Sequence, residues 1–227
     1  MKLSNKILIG FFGFIFLYLT AVFAEIRLSG TPNTFDDKNS IAETVDLSGI
    51  THLILNDIDK EVHVIGSDRS RLEVRSLTGD LLTKLKYDVS GDTLMLSGFQ
   101  SVDNKRVKIS VFVSKTSLKG ITVNSAVAIV KGLQQDLLHL SEKAGRIRMS
   151  DIRIARIKMD LSNQSFLNIS GTGIDTLSAN IEGSEVHISS PIGLMQGSLK
   201  NKAFLQLTNI QEIQLKKDES SRLNMSQ

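Results

Sequence analysis

Short triplets with apolar residues at the first and third positions recur along the second half of the chain. The first members of successive triplets lie 20, 20, 19, 19 and 18 residues apart: Val127/Ile129, Ile147/Met149, Leu167/Ile169, Val186/Ile188, Leu205/Leu207 and Leu223/Met225. Strict alternation is typical of a strand that buries one face, and a fixed period of this length is typical of stacked repeats. The pattern therefore predicts an all-β fold, a parallel β-helix or solenoid with rungs of about 19 residues.

Each predicted rung contains a second strand, because another apolar pair with the same spacing lies between the triplets, as in Leu138/Leu140 and Ile157/Met159. An amphipathic helix would instead place apolar residues three and four positions apart. Turn-forming sequences such as Asn163-Gln164-Ser165 and Asn201-Lys202 separate the strands. The middle residues of the triplets are predicted to face solvent: Ala128, Arg148, Asn168, His187, Gln206 and Asn224.

The first 24 residues follow a different pattern. Lys2 and Lys6 precede residues 7–24, which carry no charge and would form a helix about 27 Å long, close to the ~30 Å hydrocarbon thickness of a bilayer. The sequence Val22-Phe23-Ala24 would also suit cleavage by a signal peptidase. Residues 1–24 are therefore predicted to form one hydrophobic helix, either a signal anchor that contacts the membrane through residues 7–24 or a cleaved signal peptide.

Both interpretations give the same cellular location for the rest of the chain. The two lysines keep the N-terminus in the cytoplasm. The remaining residues are then expected in the cell envelope, single-pass anchored on the periplasmic side or secreted if the leader is cleaved.

The boundaries between segments follow from changes in composition. Residues 25–44 are rich in Gly, Pro, Asn and Asp and are predicted to be a polar connector. The β-solenoid domain is predicted over 45–227, with an irregular N-terminal portion at 45–113 and regular rungs at 114–227. Within the irregular portion, Ser90-Gly91-Asp92 separates two strands and predicts a β-hairpin.

Composition excludes several classes of function. The chain has 27 Lys and Arg against 24 Asp and Glu, and without Lys2 and Lys6 the balance is 25 to 24. An exported part so close to neutrality does not indicate a nucleic-acid partner. The chain has no cysteine, so it has no disulfide, thiol nucleophile or thiolate metal site, and the domain must rely on its apolar core.

Histidines and acidic residues do not form a pattern typical of a metal site. The four histidines are not spaced as ligands of one ion: His52, His63, His139 and His187. An acidic corner lacks the spacing of a calcium-binding loop, which favours a solvated turn over a weak Ca²⁺ site: Asn56, Asp57, Asp59 and Glu61. The sequence therefore predicts no metal ion and no cofactor.

Catalytic residues are not predicted either. Many parallel β-helices cleave polysaccharides, and that chemistry needs two carboxyl groups at a defined separation. Asp151, Asp160 and Asp175 occupy different phases of their rungs and are not expected to converge. The chain is therefore predicted not to be an enzyme.

One cluster of basic residues lies in the repeats: Lys131, Lys143, Arg146, Arg148, Arg153, Arg156 and Lys158. Two interpretations remain open. The cluster could bind an anionic glycan or an envelope lipid headgroup, or it could consist of solvated strand residues that discourage aggregation.

Several segments carry a resemblance to a known family. They are TVDLSGI at residues 44–50, VFV at 111–113 with LKGITV at 118–123, LSNQSFLNISG at 161–171 and IEGSEVHIS at 181–189. These segments resemble the bacterial head GIN domain family of adhesin-like, auto-transporter-related proteins, over roughly residues 44–227. The resemblance implies a right-handed parallel β-helix in a bacterial envelope protein, and it brings no catalytic residues with it.

The function expected from these observations is a structural or adhesin-like binding role at the bacterial cell envelope, by a non-enzymatic and membrane-tethered β-helix domain. An envelope-sensing domain that signals through a partner chain is the alternative, followed by a polysaccharide-active enzyme. The last rung is predicted to leave an open edge. Charged residues at its corner are expected to restrict that edge to weak self-association: Lys216, Lys217, Asp218, Glu219 and Arg222.

Overall fold

The computed structural model describes residues 11–23, 40–77, 79–99 and 107–226. The chain divides into two compact units, Met1–Asn39 and Ser40–Gln227. In the first unit residues 11–23 form an α-helix, which confirms the predicted N-terminal helix. The predicted apolar segment extends to residues 7–10 and 24, which lie outside the described residues. Among the described residues, no helix is both long enough and apolar enough to span a bilayer.

The second unit is a parallel β-solenoid of about 6 turns with rungs of ~19 residues, as the sequence predicts. Its strands are β1 (Ile41–Asp46), β2 (His52–Asn56), β3 (Glu61–Ser67), β4 (Arg71–Ser76), β5 (Lys86–Ser90), β6 (Thr93–Ser97), β7 (Val107–Ser114), β8 (Gly120–Asn124), β9 (Val127–Lys131), β10 (Gln134–Lys143), β11 (Arg146–Ser162), β12 (Phe166–Gly171), β13 (Ile174–Glu182), β14 (Glu185–Ile188), β15 (Ile192–Lys200), β16 (Phe204–Thr208), β17 (Ile210–Lys217) and β18 (Arg222–Ser226). A short 3-10 helix, Leu82–Lys84, precedes β5. Regular structure begins at Ile41, inside the segment predicted as the polar connector.

The strands form two sheets. Sheet A runs in the order β1, β4, β7, β3, β9, the first part of β11, β12, β14, β16 and β18. Sheet B runs in the order β5, β6, β2, β8, β10, the second part of β11, β13, β15 and β17. Each regular rung contributes one strand to each sheet, and the apolar side chains between the sheets form the core.

Stacking in register places equivalent residues of successive rungs side by side. Ile169, Ile188 and Leu207 are neighbours on β12, β14 and β16, and each is at most 2% exposed. The corners that the sequence predicts do adopt left-handed backbone, with φ of 58° at Asn163 and 57° at Asn201. Short polar side chains tolerate that conformation because they hydrogen-bond locally.

The irregular N-terminal portion closes one end of the core. β5 and β6 pair antiparallel through the Ser90–Thr93 register, which confirms the predicted hairpin. The β2–β3 rung lies between the β6–β7 rung and the β8–β9 rung, so spatial order departs from chain order here. Buried apolar side chains from the connecting segments join the core of this portion: Leu81, Leu85 and Phe99.

The predicted phase of the first triplet is wrong. Ala128 is fully buried, and it pairs with Ile147 on the inner side of sheet A. Val127 and Ile129 are half-buried on the outer side instead. The reason is physical: four consecutive apolar residues make both faces of β9 apolar, so alternation cannot fix which face is buried.

A further inner position differs from the expected pattern. Glu142 follows Leu138 and Leu140 on the inner side of β10 and is 1% exposed. A carboxyl group therefore occupies a position that Leu161 fills in the next rung.

Candidate functional site

The outer face of sheet A brings basic and aromatic residues into line. Each rung presents one outward residue just before its first inner residue, and parallel pairing aligns these positions: Arg146, Phe166, Glu185, Phe204 and Arg222. The neighbouring column on the same face contains Arg148, Asn168, His187, Gln206 and Asn224. Residues that are ~20 positions apart in the chain thus lie one strand spacing apart, roughly 4.8 Å.

Four of these side chains stack on one another. The Arg146 guanidinium carbon lies 5.1 Å from the centre of the Phe166 ring. The His187 ring lies between the two phenylalanines, 5.5 Å from Phe166 and 5.6 Å from Phe204, measured between ring centres. Guanidinium groups and aromatic rings attract one another through the ring quadrupole. We call Arg146, Phe166, His187 and Phe204 the aromatic–basic strip.

Charge on this face is unevenly neutralised. Glu185 binds His187 through an Oε1–Nε2 contact of 2.5 Å, and Glu61 lies 3.6 Å from a terminal nitrogen of Arg148. Within the described part of the chain, no carboxylate lies within ion-pair distance of Arg146 or Lys131. These two cations are therefore available to an anionic ligand.

His63 lies nearby on the outer face of sheet A. It pairs with Ile129, the partner of Arg148, and is half-buried. Burial lowers the pKa of His63, and repulsion from Lys108 and Lys131 lowers it further, against an opposing attraction from Glu61. Lys108 and Lys131 are therefore close enough to influence a charged group on this part of the face.

Apolar area extends this surface toward β9. Val127 pairs with Arg146 and Ile129 pairs with Arg148, and both apolar side chains remain half-exposed on the outer face. The surface thus combines partly exposed rings and aliphatic groups with guanidinium groups. Such a combination binds the apolar faces and the anionic groups of one ligand together.

A buried carboxyl group lies beneath the strip. The Oε1 atom of Glu142 accepts a hydrogen bond of 3.2 Å from the backbone N–H of Phe166. Its Oε2 atom is buried and has no hydrogen-bond partner within the described residues. Burial raises the pKa of Glu142 from 4.5 to about 8, although the Phe166 N–H and the charge of Arg146 act in the opposite direction. Glu142 is therefore largely protonated at neutral pH.

The basic cluster predicted from the sequence is distributed over three surfaces. Arg146, Arg148 and Lys131 lie on the outer face of sheet A. Arg156, Lys158 and Lys143 lie on the outer face of sheet B, where Arg156 forms an ion pair with Asp136. Arg153 lines a separate groove at the bend between the sheets, together with Asp136 and Asp175.

The other residues considered in the sequence analysis lie apart from the strip. Asp160 is on sheet B and bonds to Asn180 at 2.9 Å, whereas Asp151 lies at a corner with a φ of 52°. In the acidic corner, Asn56 accepts a hydrogen bond of 2.8 Å from Asn124. Among the described residues, no three His, Asp or Glu side chains are grouped so that they could hold a metal ion.

Sequence reasoning placed His187 on the outer face but missed the two phenylalanine rings of the strip. A signal was present, because Phe166 and Phe204 each precede the first inner residue of a rung, at Leu167 and Leu205. Comparing equivalent outward positions between rungs would have placed them in one column with Arg146. The predicted basic cluster instead joins residues by their proximity along the chain.

Comparisons with known proteins identify the fold. No model of a known protein family matches this sequence, and no curated protein is significantly similar to it. The structure is similar to that of a candidate adhesin from Bacteroides fragilis, with a TM-score of 0.62 and 14% identity, covering 84% of this chain and 98% of the other. It is also similar to that of a candidate adhesin from Parabacteroides distasonis, with a TM-score of 0.51 and 11% identity, covering 82% and 97%. At these identities the likeness is one of fold, and this chain has the solenoid architecture of those two proteins over its described β unit.

Proposed function

We propose that this protein is a non-enzymatic, adhesin-like binding domain of the bacterial cell envelope, and that the aromatic–basic strip binds an acidic glycan. The ligand class is a sugar chain that carries carboxylate or phosphate groups, either in a polysaccharide or in a glycolipid headgroup. The observation that carries this proposal is the continuous stack of Arg146, Phe166, His187 and Phe204 on the outer face of sheet A.

The chemistry of the strip suits both parts of such a ligand. An exposed aromatic ring packs against the C–H faces of a sugar, while an Arg guanidinium forms paired hydrogen bonds with a carboxylate or phosphate. Stacking on Phe166 holds the Arg146 guanidinium in place, so less side-chain entropy is lost on binding. The regular spacing of the rungs would let one extended chain contact several of them.

The structural neighbours support the binding role by their names. Both proteins reported above are named as candidate adhesins, which agrees with a proposed role in binding rather than catalysis. We also infer membership of the head GIN domain family, an inference that rests on the sequence segments described above.

Membrane tethering is part of the proposal and rests on the sequence of residues 7–24 with Lys2 and Lys6 before them. We expect the protein to fractionate with membranes and to keep its N-terminus at Met1 or Lys2. Fractionation followed by mass spectrometry of the N-terminal peptide tests this. A mature N-terminus at Glu25 would instead identify residues 1–24 as a cleaved signal peptide.

Binding is tested with the full-length protein in detergent and four defined probes. These are polygalacturonate as an acidic polysaccharide, dextran as a neutral one, and mixed micelles of the detergent and lipid with or without phosphatidylglycerol. We expect polygalacturonate to bind, dextran not to bind, and affinity to fall as salt screens the charges. Comparing the soluble polymer with the lipid micelles distinguishes a glycan from a lipid headgroup as the source of the anion.

Variants locate the binding site. Arg146→Ala and Phe204→Ala are each expected to raise the Kd for the acidic polymer about tenfold, or about 1.4 kcal/mol. The control is Lys158→Ala, which removes a similar charge from the outer face of sheet B and should leave the Kd unchanged. Equal losses in Arg146→Ala and Lys158→Ala, or equal binding of dextran, would contradict the proposal.

A further inference from the structure

The last rung of the solenoid leaves part of its core uncovered. Within the described residues, β17 pairs only with β15 and β18 pairs only with β16. Ile213, Leu215 and Leu223 are half-exposed and Met225 is 54% exposed, although all four lie on the inner side. One rung earlier, the equivalents of Ile213, Leu223 and Met225 are fully buried: Met195, Leu205 and Leu207. This end therefore presents an apolar surface between two unpaired strand edges.

Hydrogen bonds to the preceding rung determine which backbone groups remain at the edge. On β18, Arg222 donates its N–H to Ala203 at 2.8 Å, and Ser226 accepts from the N–H of Asn209 at 3.3 Å. The backbone groups of the even-numbered residues thus point to the preceding rung. The N–H and C=O groups of Leu223 and Met225 therefore point the opposite way, away from the stack. Beyond β17, Asp218 donates to Leu199 at 3.2 Å. By the same alternation, the N–H and C=O groups of Ile213 and Leu215 also point away from the stack.

We propose that this end binds a second copy of the chain, with β17 pairing antiparallel to β17 of the other copy about a two-fold axis at Gln214. In this register Ile213 lies opposite Leu215 of the second copy, and the two residues exchange both backbone hydrogen bonds. Glu212 lies opposite Lys216 of the second copy in a non-hydrogen-bonded pair, where side chains are closest. Opposite charges in such a pair stabilise antiparallel pairing.

The same two-fold axis also relates the terminal strands of sheet A in the two copies. On β18 the middle residue is Asn224, and pairing about it places Leu223 opposite Met225 of the second copy. A two-fold axis that runs across the rung from sheet B to sheet A maps each terminal strand onto its own copy. Both edges can therefore pair at once, and the two sets of half-exposed apolar side chains cover each other.

The charge of Lys216 also favours this register over one shifted by two residues. Moving the axis by two residues, from Gln214 to Lys216, would place Lys216 opposite itself, and like charges directly opposed destabilise a pair. The surface thus fits a second copy of itself.

Cross-linking tests the axis directly, since the chain has no natural cysteine. In full-length protein in detergent, Gln214→Cys is expected to form a disulfide-linked dimer under mild oxidation, and Asn224→Cys is expected to do the same. Gln196→Cys and Gln206→Cys are the matched controls, because they occupy the same two columns one rung earlier. We expect at least about tenfold less dimer from the controls.

Charge exchange tests the register. Glu212→Lys or Lys216→Glu alone creates two like-charge pairs and should raise the dimer Kd about tenfold, measured by sedimentation over a concentration series. Combining Glu212→Lys with Lys216→Glu restores opposite charges and should restore the Kd. Two results would overturn the proposal: cross-linking of Gln214→Cys no greater than that of Gln196→Cys, or a dimer that neither single reversal weakens.

Discussion

The backbone N–H of Phe166 donates a hydrogen bond of 3.2 Å to the carboxyl group of Glu142, which is 1% exposed inside the solenoid. One residue thus points its ring outward into the aromatic–basic strip while its backbone contacts a buried acid. Because the pKa of Glu142 is raised to about 8, the proton on this acid is linked to folding.

Stability should therefore fall as pH rises through the range between the unfolded and folded pKa values of Glu142, from 4.5 to about 8. In that range the folded state holds a proton that the unfolded state has released. The free energy of unfolding decreases by up to about 1.4 kcal/mol per pH unit for such a group. The stability that the bound proton of Glu142 contributes is fully present below about pH 4.5 and is lost above about pH 8.

The variant Glu142→Gln keeps an acceptor for the Phe166 N–H and removes the titration. We expect it to flatten the decline in stability between pH 5 and pH 8, and to be more stable than the natural protein at pH 8. Urea unfolding at several pH values measures this. Exposed Glu219 is the control position, and Glu219→Gln should leave the pH dependence unchanged. An unaltered slope in Glu142→Gln would show that the acid ionises freely in the folded state.

Inner and outer positions of one strand should differ sharply in their contribution to stability. Ile169 is fully buried between Met149 and Ile188, so Ile169→Ala should cost about 2–5 kcal/mol. Its neighbour Asn168 faces outward, and Asn168→Ala should change stability by less than about 0.5 kcal/mol. Chemical denaturation of both variants measures the difference. Similar losses would mean that β12 is turned the other way.

The sequence predicts the regular rungs well because burial of one face imposes strict alternation. From Ile147 to Leu207 each triplet has two apolar inner residues on either side of one polar outer residue, so phase and spacing follow directly. The prediction fails at Val127–Lys131, where both faces are apolar. A one-residue slip there moves every side chain to the other face.

Other features depend on contacts that local sequence does not specify. The pairing of β2 with both β6 and β8 joins segments about 40 and 70 residues away, and only the assembled stack selects it. Glu142 has the polarity of an outer residue, yet the inner phase of β10 requires it to face the core. The aromatic–basic strip depends on matching rungs of unequal length, which brings Phe166 beside Arg146 and His187.

Gly197 marks a place where the solenoid accepts no side chain. It lies on the inner side of β15 between Met195 and Leu199, with a φ of +139°. A Cβ atom at this position would lie 1.8 Å from the carbonyl oxygen of Ala179 in the preceding rung. Because that oxygen belongs to the backbone, relief would require the two rungs to separate.

Gly197→Ala should therefore destabilise the fold by more than about 2 kcal/mol, since it adds both a backbone clash and a strained φ. The matched control is Gly173→Ala, where the nearest heavy atom would lie at an ordinary 3.7 Å from the new Cβ. That variant should stay within about 1 kcal/mol of the natural protein. Urea unfolding of the two variants decides the point. Equal stability would mean that β13 and β15 are farther apart at Ala179 than the register of these strands implies.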